Sequence, residues 1–432
     1  MRPVDRRILA IALPAIVSNI TVPVLGLVDV ALVGHFGAAA FIGAIAVGST
    51  VFNMLYWLLG FLRMSTAGLT AQACGAADRP AADAALWRSL IIAAAASVLL
   101  IGCSGPLGHA ILDFLDADDA DDAVRPLADR YFCVCIWGAP AVLATYVLNG
   151  WSLGMQNTRL PMAVAVTTNV VNIALSLTFV YGFGMRIEGV ALGTLLAQWT
   201  GAVIFLAAVL RKYRPQTVAR RRLLNPKALR RLFSINTDIF LRTLCLVAVT
   251  VWFTRAGAMQ SVSVLAANAL LMQLFMFFSY FSDGFAYAGE ALAGKAHGAA
   301  DRAGMRLTVS ALLQWGGAIA LAFTAIYFVA GEAILRLLTD DGDVIDTALE
   351  YLPWAVSVPA CGILAFVYDG IFIGLTATRR MLASIALSAA VFFAAYALAF
   401  PTLGNHGLWL AFLLYLLIRG LFLAATLPNP TR

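Results

Sequence analysis

The sequence predicts an all-α membrane protein in which twelve transmembrane helices form two pseudo-symmetric bundles of six. Its composition, its apolar runs and an internal repeat support this prediction. The 432-residue chain is 62% hydrophobic and 12% charged, whereas soluble domains carry about 25% charged residues. Apolar runs of roughly 20–30 residues recur, each long enough to cross a hydrocarbon layer about 30 Å thick. These runs lack the alternation of β-barrel strands, so each span is predicted to be a helix.

Hydropathy and turn residues define the predicted spans, and the charges of the connections predict their orientation. Basic residues cluster on one side and are densest in 211–230, whereas the acidic stretch 113–122 falls on the other side. By the positive-inside rule, both termini and the basic connection are cytoplasmic. That connection is either a solvated topology signal or a contact with anionic lipid. The predicted spans are 8–34, 41–73, 84–110, 127–154, 160–182, 188–211, 231–256, 261–295, 306–330, 347–374, 380–401 and 406–427.

An internal repeat divides the chain into an N-terminal lobe (1–210), a cytoplasmic linker (211–230) and a C-terminal lobe (231–432). LTAQACGAADR at 69–79 matches LAGKAHGAADR at 292–302, an offset of 223 residues. LNGWSLGMQNTR at 148–159 matches YDGIFIGLTATR at 368–379, an offset of 220, and each copy contains a G-x-x-x-G pattern that lets helices approach closely. Since each half has an even number of spans, both halves have the same orientation, as in transporters built from parallel repeats.

A carboxylate within the first span is the main functional candidate. A charged side chain at the bilayer centre costs about 2.5–3.5 kcal/mol on insertion scales, so its presence indicates a function. Asp29 follows Pro23 by six residues, and that proline removes a helix hydrogen bond and favours a bend. A desolvated carboxyl can take up and release a proton as its surroundings change. The alternative is an aspartate that only bonds a neighbouring helix.

Polar residues on other N-terminal spans extend this candidate site. Those of the fifth span recur at i, i+3 and i+7, which is one face of a helix. Pairs at i, i+4 occur in the sixth and fourth spans. Alone, such residues could simply hold helices together, at about 0.6 kcal/mol each. With Asp29 they predict a polar pocket. The residues are Asn169, Asn172 and Ser176, then Thr194 and Gln198, then Thr145 and Asn149.

The C-terminal spans carry their own charged residues, namely Asp238, Arg242, Asp283, Glu290 and Asp369. Asp238 and Arg242 lie at i, i+4 and are expected to neutralise each other. Arg419, near the end of the last span, is expected to extend to the cytoplasmic surface. Cys133 and Cys135 have a C-x-C spacing that could form a metal pair, but no matching Cys or His cluster accompanies them, so core packing is expected. The four histidines are too dispersed for a metal site, and no nucleotide-binding loop is present. Coupling to an ion gradient is therefore expected, with no bound cofactor and no nucleic-acid partner.

Several segments resemble the multidrug and toxic compound extrusion (MATE) family, most closely its DinF-like branch. They are LPAIVSNITVPVLGLVDVALVGHFG, FLRMSTAGLTAQACGAADR, NTDIFLRT, DGFAYAGEALAGKAHGAADR and LGNHGLWLA, and the resemblance runs from residue 8 to residue 425. It implies a V-shaped pair of six-helix bundles rather than an enzyme. It also implies a monomer in the bacterial cytoplasmic membrane that exports amphipathic compounds in exchange for protons or sodium ions.

The resemblance also implies roles for individual residues. Asp29 matches the essential acid of a bent first helix, and Pro14 matches a proline fifteen residues before it. Asn172 and Thr194 match polar partners in the N-terminal cation site, and Asn149 matches a cavity-lining asparagine.

One position departs from the family pattern. Ser176 stands where many members have an aspartate, four residues after the asparagine of the fifth span. Hard cations favour charged oxygen ligands, so this loss weakens the case for sodium. Protonation of Asp29 is then the simpler coupling step. A sodium-coupled exporter and a flippase for lipids or lipid-linked oligosaccharides remain as alternatives.

The repeat suggests a gate as well. Arg63 maps by the 220 offset onto Asp283, or within one turn of it by the 223 offset. We therefore predict a contact between these two side chains near the cytoplasmic side in the closed state. The alternative is that each pairs within its own lobe.

Overall fold

The computed structural model describes residues 2–34, 39–106, 108, 124–216 and 218–427; the side chains at 22, 24–40, 42 and 220 lie outside this description. The described part is helical and contains no β-strand. Its helices are α1 (Pro3–Gly34), α2 (Ala39–Leu58), α3 (Phe61–Gly75), α4 (Arg79–Gly102), α5 (Val124–Cys135), α6 (Ala139–Gly154), α7 (Arg159–Leu177), α8 (Ile187–Tyr213), α9 (Arg220–Leu223), α10 (Pro226–Ala258), α11 (Val262–Gly298), α12 (Arg302–Leu338), α13 (Gly342–Gly374), α14 (Thr378–Leu403) and α15 (Asn405–Thr426).

The helices confirm the prediction of an all-α multi-pass membrane protein. Eleven segments of the described chain, from Gly43–Gly75 to Asn405–Thr426, are long and apolar enough to cross a membrane. Helix α1 covers the first predicted span. Together with these eleven segments, it agrees with the twelve spans predicted. Two spans are interrupted. A turn at 59–60 separates α2 from α3, and a 3-10 turn at Ile136–Gly138 precedes the proline-containing first turn of α6.

The chain forms two compact units. Unit 1 comprises Met1–Ile16, Gly75–Ala77 and Arg230–Arg432, and unit 2 comprises Val17–Cys74 and Asp78–Leu229. Helix α1 contributes to both units, whereas the predicted lobes place all of it in the N-terminal half. Within unit 1, α13 is the central helix, because 72% of the residues in its most apolar segment are buried.

The start of α1 is held to α12 by polar contacts within unit 1. The Arg2 guanidinium pairs with Asp5 at 3.0 Å and donates to Oε1 of Gln314 at 2.5 Å. The indole N–H of Trp315 donates to Asp5 at 3.3 Å. The hydrogen bond from Arg2 lowers the pKa of Asp5, because it stabilises the ionised carboxylate. Residues more than 300 positions apart in the sequence thus pack together in this unit.

The repeated glycines of unit 2 make close contact between α6 and α3. A Cβ atom at Gly150 would overlap the backbone carbonyl of Arg63. One turn later, a Cβ at Gly154 would lie 2.7 Å from the carbonyl oxygen of Ala67. Both distances are too short for a side chain, so the G-x-x-x-G pattern sets the approach of these two helices, as predicted for small residues.

The same contact recurs in unit 1 between α13 and α11. A Cβ at Gly370 would overlap the carbonyl of Ala286, and one at Gly374 would lie 2.5 Å from the carbonyl oxygen of Glu290. The glycines follow the 220 offset and their partners follow the 223 offset. Ala286 therefore occupies the repeat position of Arg63, and Asp283 lies three residues before it.

The repeated sequence G-A-A-D-R forms the same turn in both of its copies, 75–79 and 298–302. Its second alanine has a left-handed backbone, with φ of 55° at Ala77 and 51° at Ala300. The following aspartate caps the next helix: Asp78 and Asp301 accept from backbone N–H groups three residues later, at 2.9 and 2.8 Å. Such a cap satisfies one of the N–H groups left without partners at the start of a helix. The motif thus encodes the connection between α3 and α4 and between α11 and α12.

Candidate functional site

The polar residues of unit 2 meet where α7 packs against α8. Asn172 is 2% exposed, and its Nδ2 donates to Oγ1 of Thr194 at 3.0 Å. Ser176 lies one turn further along α7 and is fully buried. Its Oγ lies against Gly193, where an added Cβ would be 2.5 Å away. Gly193 therefore allows the two helices to approach closely at the polar residues.

Two buried oxygens in this cluster lack a partner among the described residues. They are Oδ1 of Asn172 and Oγ of Ser176. A buried polar atom without a hydrogen bond costs about 1–3 kcal/mol, so such atoms call for an additional partner. Chemically, these oxygens can accept a hydrogen bond from a protonated acid or contribute to binding a cation. The side chain of Asp29 lies outside the described residues, although its backbone belongs to α1.

A hydrogen bond links this part of α7 to α1 within unit 2. The Nδ2 of Asn169 donates to the backbone carbonyl of Thr21 at 3.2 Å. Asn169 lies one turn before Asn172, and Thr21 lies two residues before Pro23. The predicted polar face of α7 thus reaches α1 beside the proline at which we expect it to bend. Sequence reasoning missed Thr21 because its contributing atom is a backbone oxygen.

The remaining predicted N-terminal residues lie apart from this cluster or beside it. Oε1 of Gln198 is buried against Gly138, in the turn before α6, instead of joining Thr194. A separation of four residues places Thr194 and Gln198 near one face, but α8 contacts different helices at successive turns. The other predicted side chains are half-buried, namely Thr145 and Asn149 on α6 and Pro14 and Pro23 on α1.

Unit 1 contains a buried cluster of charges. Asp369 accepts hydrogen bonds from both Arg242 and Arg419, and the three residues are only 5–6% exposed. The expectation that Arg419 extends to the surface was therefore wrong. Arg242 likewise pairs with Asp369 instead of being neutralised by Asp238, which accepts from Thr378 at 2.6 Å. An unpaired charge inside the bundle is strongly unfavourable, so the two guanidinium groups share this carboxylate.

Further ionisable residues of unit 1 adjoin this cluster. Asp283 interacts electrostatically with Arg419, so two acidic and two basic side chains lie in one region. Glu290 is 1% exposed on α11. Sequence reasoning did not identify Arg419 as a partner of Asp369. Its position seven residues before the end of an apolar helix was a usable signal. The proposed pairing of Arg63 with Asp283 joins residues of different units and stays a prediction.

A multi-pass helical protein with duplicated halves and polar clusters inside its spans has the architecture of a membrane transporter. Comparison with known proteins agrees. The MatE family model matches residues 14–178 and 238–398. DNA damage-inducible protein F of Escherichia coli K12 is 40% identical over 427 residues, which cover 98% of this chain and 91% of that protein. The chain therefore belongs to the MatE family of transporters, and it is not an enzyme.

Other relatives extend the comparison to more distant sequences. Multidrug resistance protein MdtK of Edwardsiella ictaluri is 26% identical and matches 97% of this chain and 94% of its own length. A solved structure of a MOP superfamily transporter from Pyrococcus furiosus has a TM-score of 0.85 at 18% identity, over 97% of this chain and 94% of that one. This structural likeness shows the shared fold. The predicted family and its DinF-like branch are confirmed.

Proposed function

We propose that this protein is a secondary active exporter of amphipathic compounds in the bacterial cytoplasmic membrane, with protons as the counter-transported ion. Membership of the MatE family supports export, and a full-length relative named as a multidrug resistance protein supports amphipathic substrates. The proposal assigns Asp29 as the proton acceptor and α1 near Pro23 as the bending element. Both termini lie in the cytoplasm, as the distribution of basic residues predicts.

The polar cluster at Asn172 is the observation that supports protons, and not sodium ions, as the coupling ion. Its buried Oδ1, together with Oγ of Ser176, can accept a hydrogen bond, and a protonated carboxyl supplies a donor that a carboxylate lacks. Ser176 adds no charge, whereas hard cations favour several charged oxygens. We therefore propose that protonated Asp29 supplies this donor, a coupling step that requires no bound metal ion.

The transport cycle follows from this assignment. With the cavity open outward, Asp29 takes up a proton and loses its charge, and α1 bends near Pro23, where the helix lacks a backbone hydrogen bond. The N-terminal pocket shrinks and the substrate leaves. The lobes then turn inward, Asp29 releases its proton and a new substrate binds.

Reconstitution in proteoliposomes tests the proposal. Under an imposed pH gradient, the wild-type protein should transport ethidium, an amphipathic cation, while Asp29→Asn should reduce transport to the level of empty liposomes because it cannot be ionised. A sodium gradient without a pH gradient should drive no transport. Unchanged transport by correctly folded Asp29→Asn would refute the role of this acid, and sodium-driven transport would instead support the alternative ion.

A matched pair of threonine variants tests the polar cluster in the same assay. Thr194→Val removes the hydrogen bond from Asn172 and should weaken pH-driven transport several-fold, since the bond contributes about 1 kcal/mol or less. Thr200→Val on the same helix removes only a bond to the backbone of its own helix and should transport like wild type. Equal activity of the two variants would show that the hydrogen bond between Asn172 and Thr194 does not contribute to proton-coupled transport.

A further inference from the structure

A groove of about 740 Å³ opens in unit 1 beside the start of α12. It lies between the end of α11 and the first turns of α12, and Leu375 and Leu427 border it. These elements meet at the predicted cytoplasmic ends of the spans. Most of its lining side chains are apolar. They are Ala296, Ala300, Met305, Val309, Leu313, Leu375 and Leu427.

Cationic side chains border this apolar groove. Arg302 and Arg306 line it one turn apart, and both are exposed. Asp301 is an acidic member of the lining, but one of its carboxylate oxygens accepts the N-terminal N–H of Gly304 at 2.8 Å. The lining therefore carries a net positive charge on one side of an apolar surface.

Three more arginines lie around the groove through contacts with its walls. Each bonds a residue that lines the groove or is next to one that does. They are Arg2, bound to Gln314 at 2.5 Å, Arg231, bound to Thr376 at 3.0 Å, and Arg380, bound to the carbonyl of Thr426 at 2.6 Å. Five guanidinium groups, from α10, α12, α14 and the N-terminal segment, thus lie in the groove lining or next to it.

The repeat position in unit 2 has different chemistry. By the 223 offset, Arg302 and Arg306 correspond to Arg79 and Asp83. There, Arg79 pairs with Asp83 at 3.1 Å, and the backbone N–H of Gln216 donates to the same carboxylate at 3.0 Å. Arg306 of unit 1 therefore stands at the repeat position of Asp83. In unit 2, Asp83 neutralises Arg79 and accepts a hydrogen bond from the linker.

The linker also covers the equivalent surface in unit 2. The indole N–H of Trp87 donates to the carbonyl of Gln216 at 3.3 Å, and Leu86 is fully buried. Val309, at the repeat position of Leu86, is only half-buried. Among the described residues of unit 1, no segment covers the groove in this way, which leaves an apolar surface exposed beneath a cationic rim.

We infer that the groove of unit 1 binds an anionic phospholipid from the bilayer. Its phosphate lies against Arg302 and Arg306, and an acyl chain lies along Val309 and Leu313. The apolar lining would bury hydrocarbon, and the surrounding guanidinium groups pair well with phosphate oxygens. This site is separate from the proposed proton-coupling cluster, and its test does not depend on transport.

Native mass spectrometry of the purified full-length protein with added lipids tests the inference. Phosphatidylglycerol should bind more tightly than phosphatidylcholine with the same acyl chains. Each cation near a lipid headgroup contributes about fivefold, so Arg302→Gln with Arg306→Gln should weaken phosphatidylglycerol binding about 25-fold. Ser310→Trp, which keeps the charge but fills the groove from an exposed position, should also reduce binding.

Matched controls distinguish a built site from general attraction. Arg221→Gln with Lys227→Gln removes two exposed positive charges from the linker region of unit 2 and should leave binding unchanged. An equal loss in this control, or full binding to Ser310→Trp, would overturn the inference. Displacement of phosphatidylglycerol by soluble glycerol 3-phosphate, at the concentrations used for the lipid, would also overturn the inference. A several-fold gain in lipid binding on deletion of residues 428–432 would identify the chain's own C-terminus as the occupant.

Discussion

At the scale of single residues, the two units place different chemistry at equivalent positions. Asn149 and Asp369 are related by the 220 offset. Asn149 is a half-buried amide on α6, whereas Asp369 binds two arginines in the interior of unit 1. At this equivalent position the duplicated backbone thus holds a neutral amide in one unit and an ion-paired carboxylate in the other.

Loss of the shared carboxylate should destabilise unit 1 strongly. Asp369→Asn leaves Arg242 and Arg419 buried without their common counter-charge, which should cost about 3–5 kcal/mol. By contrast, Glu332→Gln breaks an exposed pair with Arg336 and should cost about 0–1 kcal/mol. Thermal unfolding of both variants in detergent measures the difference. Equal midpoints would show that the buried cluster contributes little to stability.

At the scale of helices, repeated small residues decide which elements touch. Gly150 and Gly154 bring α6 onto α3, and Gly370 with Gly374 brings α13 onto α11. At Gly150, Gly370 and Gly374 the nearest atoms belong to the partner's backbone, which cannot move aside as a flexible side chain can. The approach of these helices should therefore be sensitive to a single added methyl group.

Two glycine variants test this sensitivity. Gly370→Ala places Cβ in overlap with the carbonyl of Ala286 and should destabilise the protein by about 1–3 kcal/mol or more, with a lower yield of folded protein. Gly317→Ala on α12 meets no atom within 4 Å and should be neutral or stabilising by up to about 1 kcal/mol. Unfolding midpoints compare them, and a tolerated Gly370→Ala would contradict the close helix contact.

At the scale of the whole molecule, the alternation of basic and acidic connections predicts how the chain lies in the membrane. Helix α12 has 37 residues and is about 55 Å long, enough to place its two ends on opposite sides. The turn that ends in Arg302 precedes it, with Arg306 one turn further on, and the acidic loop at residues 340–343 follows it. Orientation therefore depends on the charges at these two ends.

Cysteine labelling tests this orientation in intact cells. In a variant without the six native cysteines, Gly342→Cys should react with a membrane-impermeant maleimide from outside. Ala299→Cys should react only after the cells are made permeable, since the basic end is predicted to be cytoplasmic. Both positions are exposed, so burial does not explain a difference. The reverse pattern would invert the predicted topology.

Much of the architecture could be inferred from local features of the sequence. The twelve spans follow from hydropathy, and the relation between halves follows from matching segments. The capped turn at Asp78 and Asp301 follows from the repeated motif. These features depend on residues close in the chain, so spacing and composition are sufficient. The same is true of the face that unites Asn172 with Ser176, because helical periodicity alone places them together.

The choice of partners across helices depended on the tertiary structure. Only the packing of α13 and α15 shows that Arg419 turns inward to Asp369, and only the contact at Gly370 places Ala286 opposite it. Spacing along α8 likewise could not separate Gln198 from Thr194. Which faces of two helices meet depends on long-range packing and on the high cost of unpaired buried charge. Hydropathy and spacing predict the helices themselves, whereas their contacts decide which polar groups act together.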